Sequence, residues 1–275
     1  MELITAIISA ILGTVMGSFL SVVIHRIRHK QKGIFFGRSM CPYCKKPLKW
    51  KHMVPIFSYL VLGGKCAYCR KRISSHYVLL EILTAALFVI VFLNFNFITT
   101  VGSSVDPSVF SYSIDFNVFE LFIFYLIEAG LMMGIFFYDL LYKEIPDVLS
   151  LPAIAVGFLG ALLFGTPELQ SLGIAVLIIV VFFGGQILLS KGHWLGGGDL
   201  RLGVLLAVLL GAKLLILALV LSYVLGSIVS LVLLACKKAT RKTAIPFGPF
   251  LITGGLISLF IGEKIVTMYL NNLIP

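Results

Sequence analysis

Charge is scarce in this sequence. Asp, Glu, Lys and Arg make up 12% of its 275 residues, about half the roughly 25% usual in soluble domains. Acidic residues are scarcest, 12 against 22 Lys and Arg, for a formal net charge of +10. With 59% hydrophobic residues and a mean hydropathy of +1.06, a soluble globular protein is excluded. The composition is that of an integral membrane protein built of helices. No basic stretch precedes the first apolar run and no small-residue cleavage site follows it. That run is therefore expected to remain as a span and not to be removed as a signal peptide. Between Arg26 and Arg72 lie 13 Lys and Arg and no Asp or Glu. No nucleic-acid reading motif accompanies this charge, so nucleic acid is not an expected partner. The positive-inside rule and contact with anionic membrane lipid explain it.

Long apolar runs are what the chain has in abundance. They predict an all-α integral membrane protein of about eight transmembrane helices, with a cytosolic zinc-binding loop between the first two. The spans are Leu3–Ile24, Tyr77–Phe97, Val118–Tyr138, Val148–Phe164, Leu172–Ser190, Asp199–Gly211, Leu214–Ala235 and Phe250–Met268. The sixth, with about 12 residues, is short of the ~20 needed for a full crossing, so it is expected to be tilted, joined to its neighbour or partly irregular. The first span ends in His25-Arg26-Ile27-Arg28-His29-Lys30, which puts the next loop in the cytosol and both termini outside. Every Lys and Arg except Lys213 and Lys264 then falls at or near the cytosolic side. Thr99–Asn117, with Asp106, Asp115 and no Lys or Arg, reads as an extracytoplasmic loop. The turn Cys236–Lys242 reads as cytosolic and basic, with Cys236 an ordinary membrane-edge cysteine. The division is 1–26 as first span, 27–75 as cytosolic loop and 76–275 as membrane-embedded core.

The loop carries Cys41-Pro-Tyr-Cys44 and Cys66-Ala-Tyr-Cys69, separated by 21 residues. Two such knuckles can place four thiolates tetrahedrally around one zinc ion. A reducing cytosol disfavours the alternative, disulfides. A four-thiolate site is closed, so the metal would build the loop and not hydrolyse anything.

Acidic residues inside spans are costly and are usually functional. Glu81 stands one turn into the second span, where it could also reach the interface. Glu128 is deep enough in the third to need a partner or water. Asp139 ends the third apolar run, and Asp199 follows three glycines in Leu195-Gly-Gly-Gly-Asp-Leu200. The glycines allow a sharp turn and close backbone approach. The charge rule puts Asp139 and Asp199 at one membrane face, an arrangement that suits an aspartic protease; the plainer reading is that both merely end helices. Asp199 is expected at a helix N-terminus, where it suits a carboxylate that takes a proton from water. Asp139, at a C-terminal end, suits the one that gives a proton to the substrate.

These residues carry a resemblance. Gly17-Ser-Phe-Leu-Ser-Val-Val-Ile-His-Arg26, the paired knuckles, Tyr77-Val-Leu-Leu-Glu-Ile-Leu-Thr84, Asp139 with Pro146 seven residues on, Gly196-Gly-Gly-Asp199 and Pro246-Phe-Gly-Pro249 together resemble the type IV prepilin peptidases. These are membrane aspartic endopeptidases of the Gly-x-Gly-Asp type, and the match runs over nearly the whole chain. Ser21 stands where the pattern usually has Asn. The resemblance implies Asp139 and Asp199 as catalytic pair and type IV prepilins or pseudopilins as substrates. It implies cleavage after a glycine where a basic leader meets an apolar helix. The location it implies is the bacterial cytoplasmic membrane, in multiple passes, with the site facing the cytosol. Many members also methylate the new N-terminus with S-adenosylmethionine, which points to Gly17, Ser18 and Glu81 as candidate cofactor residues. Read without the resemblance, an ion-coupled transporter or a zinc-stabilised membrane scaffold stays open, although no internal repeat of the transporter kind is visible. Nothing in the sequence speaks to the oligomeric state.

Overall fold

The computed structural model of the chain describes residues 2–31, 33–34, 37–95, 97–102, 110–240 and 243–273. Asp106, Arg241 and Lys242 lie outside them. Among the described residues seven helices are long and apolar enough to cross a membrane. They are α1 (Glu2–Arg28), α3 (His76–Asn94), α4 (Phe116–Tyr142), α5 (Asp147–Phe164), α6 (Leu169–Ser190), α7 (Gly197–Ala235) and α8 (Gly248–Leu273). A five-residue helix α2 (Phe57–Val61) lies in the loop after α1. In hydrocarbon a helix satisfies its own backbone, which is why near-continuous apolar runs fold this way.

Seven helices correspond to the eight expected spans because α7 holds two of them. Gly211 has φ 67 and ψ 177, outside the helical region, and interrupts its 39 residues. A Cβ added at Gly255 of α8 would meet Leu206, and one added at Gly254 would meet Ser222. In a straight helix residues 206 and 222 would stand about 24 Å apart, yet both reach adjacent residues of α8. The chain therefore turns back at Gly211, and its two halves run side by side. The turn is held by Ser171, whose Oγ accepts the Ala212 N–H at 3.0 Å, and by the Lys213–Glu263 ion pair.

Two boundaries differ from expectation. Thr99–Asn117 is not a plain loop: β1 (Ile98–Gly102) and β2 (Phe110–Ile114) pair antiparallel, with Ile98 opposite Ile114. Helix α4 does not stop at Tyr138. It runs to Tyr142, where Lys143 takes φ 57 and ends it, so Asp139 sits within the last turn and not beyond it.

The chain forms two compact units, Met1–Gly134 and Ile135–Pro275. In the first, α1 packs on α3 through Gly13 and Gly17, four residues apart on one face. An added Cβ would lie 2.6 Å from Ala85 Cα or 2.7 Å from Glu81 Cα. This is the small-xxx-small contact that lets membrane helices approach closely. Phe92, Phe97, Phe119 and Phe122 cluster beside the hairpin with edge-to-face or tilted rings. In the second unit α6, both halves of α7 and α8 bury Ile179, Phe183, Leu202, Leu205, Leu206, Leu215 and Leu251.

The backbone conformation at Gly211 is one that only glycine adopts freely, and a Cβ there would lie 2.7 Å from Ser171 Oγ and 2.9 Å from Pro167 Cβ. Gly211→Ala should cost about 1–3 kcal/mol, read as a lower melting temperature in detergent; an unchanged melting temperature would show that the turn is not built this way.

Candidate active site

The four cysteines come together as two copies of one small structure. Cys41 N–H donates to Lys46 O and Lys45 N–H to Cys41 O; Cys66 N–H donates to Lys71 O and Arg70 N–H to Cys66 O. In each copy the residue after the second cysteine, Lys45 or Arg70, takes a left-handed conformation. The copies also exchange cations: Lys46 Nζ lies 5.8 Å over the Tyr68 ring and Lys71 Nζ 4.9 Å over the Tyr43 ring. All four sulfurs lie within 4.8 Å of one another, and Cys41 Sγ is 3.9 Å from Cys69 Sγ. The edge of a tetrahedron of sulfurs around zinc is about 3.8 Å, so the donor set fits a metal ion. The cysteines are free thiols and not disulfides. Burial pushes the Cys41 thiol up to about 11. Burial acts the same way on Cys66, but N–H groups of Cys69 and Tyr68 and the neighbouring thiols bring it down to about 7. A quartet whose backbone N–H groups stabilise a thiolate is prepared for a cation.

Gly17, Ser18 and Glu81 also come together. Gly17 is used in the α1–α3 contact. Glu81, nearly buried, accepts the Ile56 N–H at 2.7 Å and a hydrogen bond from Ser18. Ile56 precedes α2 with φ 60 and ψ −54, so the carboxylate holds the four-cysteine loop to α3 at a point where its backbone is strained. Arg26 does the same at the start of the loop. Its buried guanidinium donates to the carbonyls of Gly33, Ile34 and Arg38 at 3.2–3.3 Å. Glu128 is 1% exposed, and neither of its carboxylate oxygens has a hydrogen-bond partner among the described residues.

In the second unit Asp199 stands close enough to Asp139 for its charge to act on the Asp139 carboxyl. Asp139, 4% exposed, accepts the N–H of Gly248 at 2.9 Å through Oδ2. Gly248 opens α8, and a Cβ there would lie 2.5 Å from that oxygen. Asp199 is the third residue of α7 and reaches back to the Gly196 N–H at 3.1 Å, the carboxylate half of a capping box. Of the three glycines before it, Gly198 is set by close approach, since its Cβ would meet Ile145 at 2.9 Å. Lys143 Nζ donates to Ala244 O at 2.8 Å, and Arg201 pairs with Asp147. These contacts tie the chain around both aspartates and give Asp147 a partner other than the pair.

Sequence reasoning missed three residues of this region. Gly248 lay inside a recognised motif, Pro246-Phe-Gly-Pro249, with no role attached. Gln186 and Tyr223 pair through Nε2 and Oε1 with the hydroxyl at 3.1 and 3.2 Å, and Tyr223 feels the charge of Asp199. Polar side chains within apolar spans were the available signal.

Two family models match the chain: the Bacterial Peptidase A24 N-terminal domain over residues 11–95 and the Type IV leader peptidase family over residues 126–231. The first range contains the cysteines, Gly17, Ser18 and Glu81; the second contains both aspartates. The chain is 30% identical to a prepilin leader peptidase/N-methyltransferase of Aeromonas hydrophila, covering 94% of this chain and 91% of the relative. One of Xanthomonas campestris pv. campestris is also 30% identical, over 94% and 92%, and one of Legionella pneumophila is 28% identical, over 93% and 91%. No solved structure matches. The chain belongs to the type IV leader peptidase family of membrane endopeptidases, which sets aside the transporter and the scaffold.

Protein purified from membranes should carry about one equivalent of metal, as a closed four-cysteine site requires. Cys41→Ser with Cys66→Ser should remove it. Metal content that survives the double substitution would place the ion elsewhere.

Proposed function

We propose that this protein removes the leader from type IV prepilins or pseudopilins, cutting after a glycine where a basic leader meets an apolar helix. The observation that supports the proposal best is the convergence of two carboxylates in the second unit, each anchored by a glycine N–H. One oxygen of each carboxylate is engaged by the backbone, which fixes its direction while the other stays available. In this reading Asp199 takes a proton from water. The water oxygen bonds to the glycine's carbonyl carbon, the C–N bond to the next residue breaks, and Asp139 supplies the proton to the leaving nitrogen. Asp199 fits the first role because the free N–H groups at its helix end stabilise the carboxylate, the form able to accept a proton.

The rest of the reading follows the same division of the chain: residues 1–26 as first span, 27–75 as a loop ordered by zinc, 76–275 as the peptidase core. Zinc would be held by Cys41, Cys44, Cys66 and Cys69, its coordination filled by protein, so it orders the loop and takes no part in hydrolysis. The relatives' name includes N-methyltransferase, and methylation of the new N-terminus belongs to the proposal. S-adenosylmethionine would supply the methyl group. Gly17, Ser18 and Glu81 are the residues proposed to hold it, with the Glu81 carboxylate suited to its cationic centres. The positive-inside pattern supports a site at the cytosolic face of the bacterial cytoplasmic membrane, with the basic loop against anionic lipid.

Asp139→Asn and Asp199→Asn should each lower cleavage of a leader-bearing prepilin in membranes by roughly 10²–10⁴-fold, with membrane insertion kept. Near-normal cleavage by either variant removes that residue from the pair. Glu81→Gln should depress methyl transfer from labelled S-adenosylmethionine more than it depresses cleavage; equal loss of both would assign Glu81 to the loop alone.

A further inference from the structure

Helix α2, in the four-cysteine loop, carries an apolar face that no part of the first unit covers. Phe57 is 69%, Leu60 65% and Val61 84% exposed, and their spacing puts all three on one side of the helix. The other side is used inward. Tyr59 packs over Gly64, where an added Cβ would lie 2.9 Å from its ring, and its hydroxyl donates to the Ile73 carbonyl at 3.4 Å. The chain entering α2 is exposed and apolar as well, at Trp50, Met53 and Val54. A contiguous patch of this kind marks a contact surface, unlike apolar residues exposed singly.

Glu81 fixes the depth of this face. Its carboxylate holds the Ile56 N–H at 2.7 Å, directly before α2 begins. Glu81 lies about 8 Å along α3 from His76. At that level the packed helix pair turns apolar side chains outward: Val15 of α1 and Leu79, Ile82 and Leu83 of α3 are exposed. In a membrane span such side chains face hydrocarbon, so hydrocarbon reaches the level at which α2 starts. Further along α2, Tyr59 is tied to Ile73, just before α3 begins. Helix α2 therefore occupies the depth of the headgroups and the first turns of the span, not open solvent.

We propose that α2, together with Trp50, lies within the leaflet where α1 ends and α3 begins. The face of Phe57, Leu60 and Val61 rests on acyl chains, and the neighbouring Lys and Arg rest on anionic headgroups. An apolar face beside cations is the composition of an interfacial helix. Trp50 stands between Lys49 and Lys51, which suits a ring at the membrane–water boundary with ammonium groups beside lipid phosphate. Charge selects lipid over a peptide occupant. No Asp or Glu lies between Arg26 and Arg72, so this surface attracts anionic phosphate and repels a basic leader. The inference goes beyond the leader-peptidase reading and does not depend on it. It makes the four-cysteine loop a structure seated in the bilayer surface, pinned by Glu81 and Arg26 on one side and by lipid on the other.

Tryptophan serves as the depth probe, since the chain has only Trp50 and Trp194. The full-length protein is placed in vesicles of phosphatidylethanolamine and phosphatidylglycerol. Combining Trp50→Phe, Trp194→Phe and Val61→Trp puts the single tryptophan on α2. Its emission should shift to the blue, and lipids brominated on the acyl chains near the headgroup should quench most of it while aqueous iodide quenches little. Trp194→Phe alone leaves Trp50 as reporter with the loop unaltered. It should also be quenched more by brominated lipid than by iodide, and it carries the test if the triple variant fails to fold. Stronger quenching by iodide in the folded reporter puts the face in water and overturns the proposal. Emission shielded from both quenchers means that a protein surface covers the face, which overturns it equally. Uncleaved prepilin added to the same reporter in the Asp199→Asn form should leave the lipid quenching unchanged; its loss would give the face to the substrate and not to lipid.

Discussion

A polar group that enters hydrocarbon must find its partner within the protein, and in this chain the partner is repeatedly the backbone. Asp139 is held by the Gly248 N–H and Asp199 by the Gly196 N–H. Glu81 is held by the Ile56 N–H, and Arg26 by three carbonyls. The donors come from places where a helix begins or a loop bends, since those N–H groups have no partner of their own. This ties the position of each charged side chain to a break in secondary structure. Glu128 departs from the pattern, with both oxygens buried and unpartnered among the described residues.

Much of this was legible in the sequence because hydrocarbon constrains composition so strongly. Apolar runs located the spans, and the spacing of Cys41, Cys44, Cys66 and Cys69 located the thiol quartet. Asp139 and Asp199 stood out because carboxylates at membrane depth are rare, and the structure brings them into electrostatic reach of each other. What was not legible was who holds them. An amide N–H has no letter of its own, so Gly248 and Ile56 gave no sign of their partners. The end of α4 was misplaced by one turn because Asp139 interrupts the apolar run but not the helix. The hairpin of β1 and β2 was missed because a polar, Ser-rich segment reads as loop whether or not its strands pair.

The four-cysteine loop shows a second kind of economy. Its two knuckles share one hydrogen-bond pattern, and each lends a lysine to the tyrosine of the other. Neither half is complete alone, since a single pair of thiols does not close a tetrahedral site. Glu81 and Arg26 anchor this loop to α3 and α1, so its order is transmitted to the first unit's helix pair at two points.

The break at Gly211 leaves the first half of α7 with about 14 residues, roughly 21 Å of helix. A bilayer's hydrocarbon core is about 30 Å thick. A span that much too short is accommodated by thinning of the lipid around it or by polar groups and water reaching inward. Asp199 stands at the end of this short helix. The length of one half-helix thus governs access of bulk solvent to a carboxylate inside the membrane, and bilayer thickness becomes a variable of the site as much as any side chain in it.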